Sequence, residues 1–239
     1  MRAVLCGANG AMGKLIHEIL GEQIVGCVSI DGENGAAKTF GELPNVQADM
    51  VIDFSHHTAI ADVLDYAKAN GCAAVIGTTG HTPEEKAMIL EASQQIPVFF
   101  SGNMSLGIAV LCRLAKDAAR YFPDADIEIV EVHHNRKVDA PSGTAHMLFN
   151  AIKEVRPEAY ENCGRAGEGK RTKNEIGVSA LRLGNVVGIH EVHISTGTQT
   201  LVLKHEAVTR AMLADGAADA ARFMEGKVKG LYNMEDILG

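Results

Sequence analysis

Residues 131–145 read E-V-H-H-N-R-K-V-D-A-P-S-G-T-A and gather the side chains best able to do chemistry at neutral pH. His133 and His134 can gain or lose a proton there, because an imidazole titrates near neutrality. Lys137 adds a fixed cation. Ser142, Gly143 and Thr144 precede Ala145, Leu148, Phe149, Ile152 and Val155, whose spacing predicts one apolar helix face. Ser142 is then the expected N-cap, and the helix start offers backbone N–H groups to an anion, with Lys137 close in sequence. The stretch reads as a carboxylate or phosphate seat beside a proton donor. A histidine pair alone is commonly a surface feature and an S-G-T alone is commonly only a cap. Lys137 between the two tips the reading toward function.

Elements must place these groups. Ile127, Ile129 and Glu131 alternate with Glu128, Val130 and Val132, so a strand is expected to end at His133. Near the start of the chain another strand, residues 3–6, runs into G-A-N-G-A-M-G, residues 7–13. Gly7, Gly10 and Gly13 allow a tight turn and a close ligand, and Leu15, Ile16, Ile19 and Leu20 give the next helix its apolar face. A second strand is expected over residues 24–30, followed by Asp31, which stands where an acid binds the adenosine ribose of a dinucleotide. The glycine spacing is G-x-x-G-x-x-G, and glycines alone are a weak signal. Strand, helix and acid in sequence strengthen it.

The alternation then continues, with strands at 50–54, 73–76 and 97–100 and helices at 58–70 and 83–94. Continuous apolar strands between helices predict a doubly wound parallel sheet, which binds ligands at the carboxyl ends of its strands. Polar, glycine-bearing turns follow those ends, among them Gly77-Thr78-Thr79 and Ser101-Gly102-Asn103-Met104, which are read as lining the nicotinamide half of a dinucleotide site. After a helix at 105–121 and the His133 strand, three strands are expected at 176–183, 190–195 and 199–204. Gly197-Thr198 would turn the last two into a hairpin. This predicts an α/β chain: a Rossmann-like doubly wound parallel sheet plus a smaller α+β domain with a mixed, mostly antiparallel sheet. The dinucleotide-binding domain is placed at residues 1–104 with 212–239 and the second domain at 105–211. A final helix at 211–223 would return to the first sheet through Met212, Ala217, Ala220 and Ala221. The second sheet has one helical layer, so a homo-oligomer is the expected cover for its other face.

Composition narrows the class. The 239 residues are 46% hydrophobic and 22% charged, as in ordinary globular proteins, with a net charge of −8 and scattered basic residues. No nucleic acid is expected as partner, and no span has membrane length. Five cysteines stand far apart with no C-x-x-C pair, which predicts reduced thiols and a cytoplasmic protein. No metal is expected: His133, His134 and Asp139 match no usual ligand spacing. A nucleotide-sensing regulator would need a basic helix-turn-helix, and a sugar or aldehyde dehydrogenase would lack the S-G-T seat.

Together, G-A-N-G-A-M-G, G-T-T-G, S-G-N-M-S, E-V-H-H-N-R-K-V-D-A-P-S-G-T-A and H-E-A-V-T-R-A-M-L-A-D-G-A resemble the 4-hydroxy-tetrahydrodipicolinate reductase (dihydrodipicolinate reductase) family over almost the whole chain. The K-V-D-A-P-S-G-T-A segment is the most specific of these. Asn135-Arg136 departs from the Arg-His of many relatives and leaves the core of the motif intact. The resemblance implies reduction of a small cyclic dicarboxylate by NADH or NADPH in diaminopimelate and lysine biosynthesis. It implies that Gly7, Ala8, Asn9, Gly10, Ala11, Met12 and Gly13 hold the pyrophosphate and Asp31 the ribose, with Gly77, Thr78, Thr79, Ser101, Gly102, Asn103 and Met104 on the nicotinamide side. His133 would donate the proton, Lys137 would be a second donor and charge clamp, and His134, Gly143 and Thr144 would bind substrate. Family members are usually homotetramers built through the second domain. Arg210 and Arg165 both stand as candidates for a second carboxylate. Asp31 repels a 2′-phosphate and favours NADH, with Lys38 able to swing in for NADPH.

Overall fold

The computed structural model describes residues 1–239. Its contacts divide the chain into two compact units, Met1–Ser105 with Ala211–Gly239, and Leu106–Arg210.

The first unit is a six-stranded sheet in which every pairing is parallel. β1 (Ala3–Cys6), β3 (Met50–Asp53) and β4 (Ala73–Ile76) are buried along their whole length, as expected of strands covered on both faces. β2 (Ile24–Val28) and β5 (Pro97–Phe100) continue the sheet, and β11 (Gly230–Tyr232) closes its far edge. In space the order is β11-β5-β4-β3-β1-β2, so the chain reverses direction across the sheet at β1, which pairs with both β2 and β3. The carboxyl end of such a strand is where open α/β sheets bind ligands. Helices α1 (Ala11–Leu20), α2 (Ile60–Asn70) and α3 (Pro83–Ala92) make the crossovers. The last begins with a capping box between Thr82 and Glu85 and with Pro83 in its first turn. α6 (Ala211–Phe223) packs on α1 and touches β4. Ala217, Ala220 and Ala221 are fully buried there, as the spacing predicts, while Met212 is only half-buried.

In the second unit, β6 (Asp126–His133) lies at the centre of a five-stranded sheet ordered β10-β9-β6-β8-β7. β9 (Gly188–Ser195) is antiparallel to β6 and to β10 (Thr200–Ala207), whereas β8 (Glu175–Arg182) is parallel to β6 and to β7 (Tyr160–Cys163). The expectation of a mostly antiparallel sheet is corrected to an evenly mixed one. The reason is the helix after β6: α5 (Gly143–Lys153) is a crossover, which returns the chain parallel to the strand it left. It also leaves β6 between β8 and β9, which follow one another in sequence but do not pair. α4 (Leu106–Tyr121) and α5 pack together on Ile127, Ile129, Val178, Val192 and Ile194 to form the core.

Other differences are local. β2 stops at Val28, two residues early, because β1 turns away at Gly7 and leaves Ser29 and Ile30 no ladder; Ile30 is 95% exposed. The 58–70 helix opens with a 3-10 turn, His57–Ala59. β7 and β11, four and three residues long, are too short to leave a period in the sequence.

Candidate active site

In the second unit, strand alternation puts Glu131 and His133 on the same, helix-covered face of β6, and both are buried. His133 Nδ1 lies 2.5 Å from Glu131 Oε2. Its Nε2 has no hydrogen-bond partner in the protein and looks toward Gly188, where a Cβ would stand 3.2 Å away. His190 of β9 meets the His133 ring edge-on with centroids 5.1 Å apart. Burial, then the nearby His133, pushes the His190 imidazole down to about 4, so this second ring is neutral at physiological pH. Its Nε2 is 3.3 Å from Ser142 Oγ. That hydroxyl also accepts from the Ala145 amide, as the N-cap of α5. The hydroxyl that accepts from Ala145 can also meet His190 Nε2 as donor or as second acceptor, whereas His190 Nδ1 is buried without a partner.

The connection after His133 is held at several points. Lys137 Nζ pairs with Asp139 Oδ1 at 2.8 Å, and this contact holds the Asp139 carboxyl below the usual range. Arg182 Nη2 donates to the Asp139 carbonyl at 2.6 Å. His134 is half-buried, with Nε2 3.3 Å from Arg210 Nη2; desolvation and then the surrounding cations, Arg136 first, lower its pKa. Gly143 and Thr144 are the first two residues of α5.

In the first unit, a cavity of about 560 Å³ opens at the carboxyl ends of β1, β2 and β3, lined by Gly7, Asn9, Gly10, Asp31, Lys38 and Ser55 among others. Gly7 has φ +83°, and a Cβ there would meet the Phe54 carbonyl oxygen at 2.3 Å. At Gly13 a Cβ would meet the Gly7 carbonyl oxygen at 2.2 Å, so α1 can lie against the loop only with glycine here. Gly10 is the N-cap of α1 and supplies no side-chain acceptor to its first-turn amides. Asn9 Nδ2 donates to Asp31 Oδ1 at 2.5 Å, which with the Glu33 amide holds this exposed carboxyl low and therefore ionised. Lys38 lies against Gly32, where a Cβ would come within 2.7 Å of its Cγ. Cys6 also lines the cavity, but burial and then Asp53 push its thiol up to about 12, so it is no nucleophile.

Residues 1–104 match the family model described as "Dihydrodipicolinate reductase, N-terminus", and residues 107–238 match the one described as "Dihydrodipicolinate reductase, C-terminus". A 4-hydroxy-tetrahydrodipicolinate reductase from Clostridium tetani is 40% identical over 100% of this chain and 97% of its own. One from Clostridium novyi is 42% identical over 99% and 98%. The chain belongs to the dihydrodipicolinate reductase family. Its fold matches that of the dipicolinate-bound dihydrodipicolinate reductase from Paenisporosarcina sp. TG-14, with a TM-score of 0.77 at 24% identity and 99% of each chain covered. An amine dehydrogenase from Mycobacterium smegmatis shares the fold more distantly, with a TM-score of 0.63 at 14% identity over 98% of this chain and 95% of that one.

Within this family member, the residues singled out from the sequence fall into distinct groups. His133, His134, Lys137, Gly143 and Thr144 belong to the β6–α5 connection, with Arg210 drawn to His134. Arg165 instead pairs with Glu175 at the start of β8 and stands apart from them. Gly7, Asn9, Gly10 and Asp31 line one cavity, while Ala11, Met12 and Gly13 form the first turn of α1. The Gly77 and Ser101 turns do not line that cavity. Thr78 is tied to its neighbour strand by Ser55 N, which donates to Thr78 Oγ at 2.9 Å, and Thr79 is exposed. Ser101 and Asn103 bond within their own turn, Gly102 is open to solvent, and Met104 is buried against Gly216. Sequence reasoning missed Glu131, Arg182 and His190. Glu131 carried a signal, an acid at an inward position two residues before a histidine. Arg182 and His190 come from other strands, and only sheet register places them.

Proposed function

We infer that this chain reduces 4-hydroxy-tetrahydrodipicolinate to tetrahydrodipicolinate at the expense of NADH or NADPH, a step of diaminopimelate and lysine biosynthesis. Identity of about 40% along the full length of named reductases carries the reading. The net change replaces a hydroxyl by hydrogen, so one hydride and one proton enter and one water leaves.

The glycine-loop cavity suits a dinucleotide: it has the volume, an uncapped helix start for a pyrophosphate and an ionised acid for a ribose hydroxyl. When bound, the reduced nicotinamide supplies the hydride. In our reading Gly7 through Gly13 hold the pyrophosphate, Asp31 the ribose, and Gly77–Thr79 with Ser101–Met104 the nicotinamide side. Asp31 favours NADH, and Lys38 beside Gly32 makes NADPH a usable second cofactor. His133 releases the proton from Nε2, the ring edge without a protein partner. Gly143 and Thr144 at the start of α5, with Lys137, receive one carboxylate, for which Lys137 must exchange Asp139; His134 and Arg210 offer the second.

A homotetramer fits the sheet of the second unit. Val130, Val132, Ile189 and Val202 alternate with the core residues on β6, β9 and β10 and so face away from α4 and α5. Val202 is 47% exposed there. No helix is long and apolar enough to cross a membrane, and the five cysteines are free, in keeping with a cytoplasmic enzyme.

The test is oxidation of NADH and NADPH, followed by absorbance, with the product of a coupled dihydrodipicolinate synthase. Rapid oxidation inhibited by dipicolinate is expected. Tight cofactor binding with no such oxidation would overturn the reading.

A further inference from the structure

Glu131 is 0% exposed, and a carboxylate so enclosed is costly unless its oxygens are paired. Here both oxygens are fully engaged. Oε2 accepts from His133 Nδ1 at 2.5 Å and from Arg182 Nη1 at 2.9 Å, while Oε1 accepts from the Ser142 amide at 3.0 Å and from Arg182 Nη2 at 2.9 Å. These partners lead to different parts of the β6–α5 connection. His133 is the imidazole, Ser142 is the cap of α5, and Arg182 reaches on to the Asp139 carbonyl, two residues past Lys137.

We propose that Glu131 is the positioning residue of this site, setting the tautomer of His133 directly and holding the α5 start and the Lys137 connection through Ser142 and Arg182. The use made of the proton rests on the reductase reading given above; the tautomer does not. An ionised carboxylate can only accept a hydrogen bond, so Nδ1 carries a hydrogen whether the ring is charged or neutral. Proton exchange is thereby confined to Nε2. When Nε2 gives up its hydrogen the ring is left in the neutral Nδ1–H form, still bonded to Glu131, and need not turn to be recharged. Two further residues keep that edge usable: Gly188 presents no side chain to it, and His190 holds the ring edge-on.

Ring ¹⁵N spectra of the wild-type protein at alkaline pH, with the His133 signals assigned by their loss in His133→Gln, test the tautomer without any substrate. The Nδ1–H form is expected, and an Nε2–H form would overturn the proposal. Glu131→Gln keeps the shape but leaves one acceptor oxygen for four donors, so a mixed or inverted tautomer is expected. With it, kcat should fall on the order of a hundredfold while KM for NADH stays within about twofold. A folded Glu131→Gln variant with wild-type kcat would sink the idea. Should that variant not fold, Gly188→Ala decides: its methyl would press on Nε2, so a loss of kcat with the Nδ1–H tautomer retained is expected, and unchanged kcat would count against Nε2 as the exchanging edge. A wild type with the expected tautomer and no activity on the dicarboxylate would overturn the reductase reading and leave the tautomer assignment standing.

Discussion

His133→Gln removes the imidazole that Glu131 holds through Nδ1 and whose Nε2 has no protein partner. The variant should lose on the order of 10²–10⁴ in turnover, the usual contribution of a positioned acid. Cofactor affinity, measured by fluorescence titration of NADH, should be unchanged. Loss of NADH affinity with turnover intact would reverse the assignment. Lys137→Ala should raise KM for the dicarboxylate, since it removes a cation that must leave Asp139 to meet an anion. A substitution of Lys38 tests cofactor breadth at the same scale. Its stem lies on Gly32 beside an ionised Asp31. Lys38→Met should weaken NADPH about tenfold and NADH little, the difference expected for one charge-assisted contact to a phosphate. Equal changes in both KM values would show that Lys38 does not meet the 2′-phosphate.

At the scale of elements, close approach rather than chemistry sets the sensitive positions. A Cβ at Gly216 of α6 would lie 1.7 Å from the Met104 carbonyl oxygen, which belongs to the turn read as nicotinamide-binding. Backbone cannot yield as a side-chain tip can, so Gly216→Ala should cost about 1–3 kcal/mol. Urea titration would measure that loss, and KM for NADH should rise with it. At α5, Ser142→Ala removes both the cap and the hydroxyl that meets His190 Nε2. About 1 kcal/mol from the cap is the expected minimum, with more from the orphaned buried ring nitrogen. The sequence made α5, its cap and its apolar face legible because those are local. The mixed pairing of the second sheet was not legible, since whether β8 joins β6 or β9 depends on where the α5 crossover sets it down.

For the whole molecule, buried neutral histidines set the response to acid. Burial lowers the pKa of His190 to about 4 and pulls His81 and His205 in the same direction. A histidine whose folded pKa lies below its unfolded value binds more protons when unfolded. Its contribution is therefore present above about pH 6.5 and is lost as pH falls toward the folded value. His190 alone should make the protein roughly 2 kcal/mol less stable at pH 5 than at pH 7.5. Urea titrations at the two pH values should show it, and His190→Gln should remove most of that slope. Burial alone would raise Glu131, but Arg182 and His133 outweigh it and hold the carboxyl low, so its share is lost only below the ordinary carboxylate range. A slope unchanged by His190→Gln would assign the acid sensitivity to other groups.

Short-range pattern determined the elements that carry the chemistry: the glycine loop and its helix, the strand ending at His133, and Ser142 as a cap. Each depends on steric freedom, period or capping among residues a few positions apart, and such terms act in any context. The family could be read from the same segments. Tertiary structure decided what surrounds them. Glu131 took its meaning from Arg182 on β8 and Ser142 after the connection, His190 came to His133 across the β6–β9 register, and Arg210 rather than Arg165 arrived at His134. Pairings between distant residues follow from strand order and register, and those emerge only when each sheet packs with its own helices into a core.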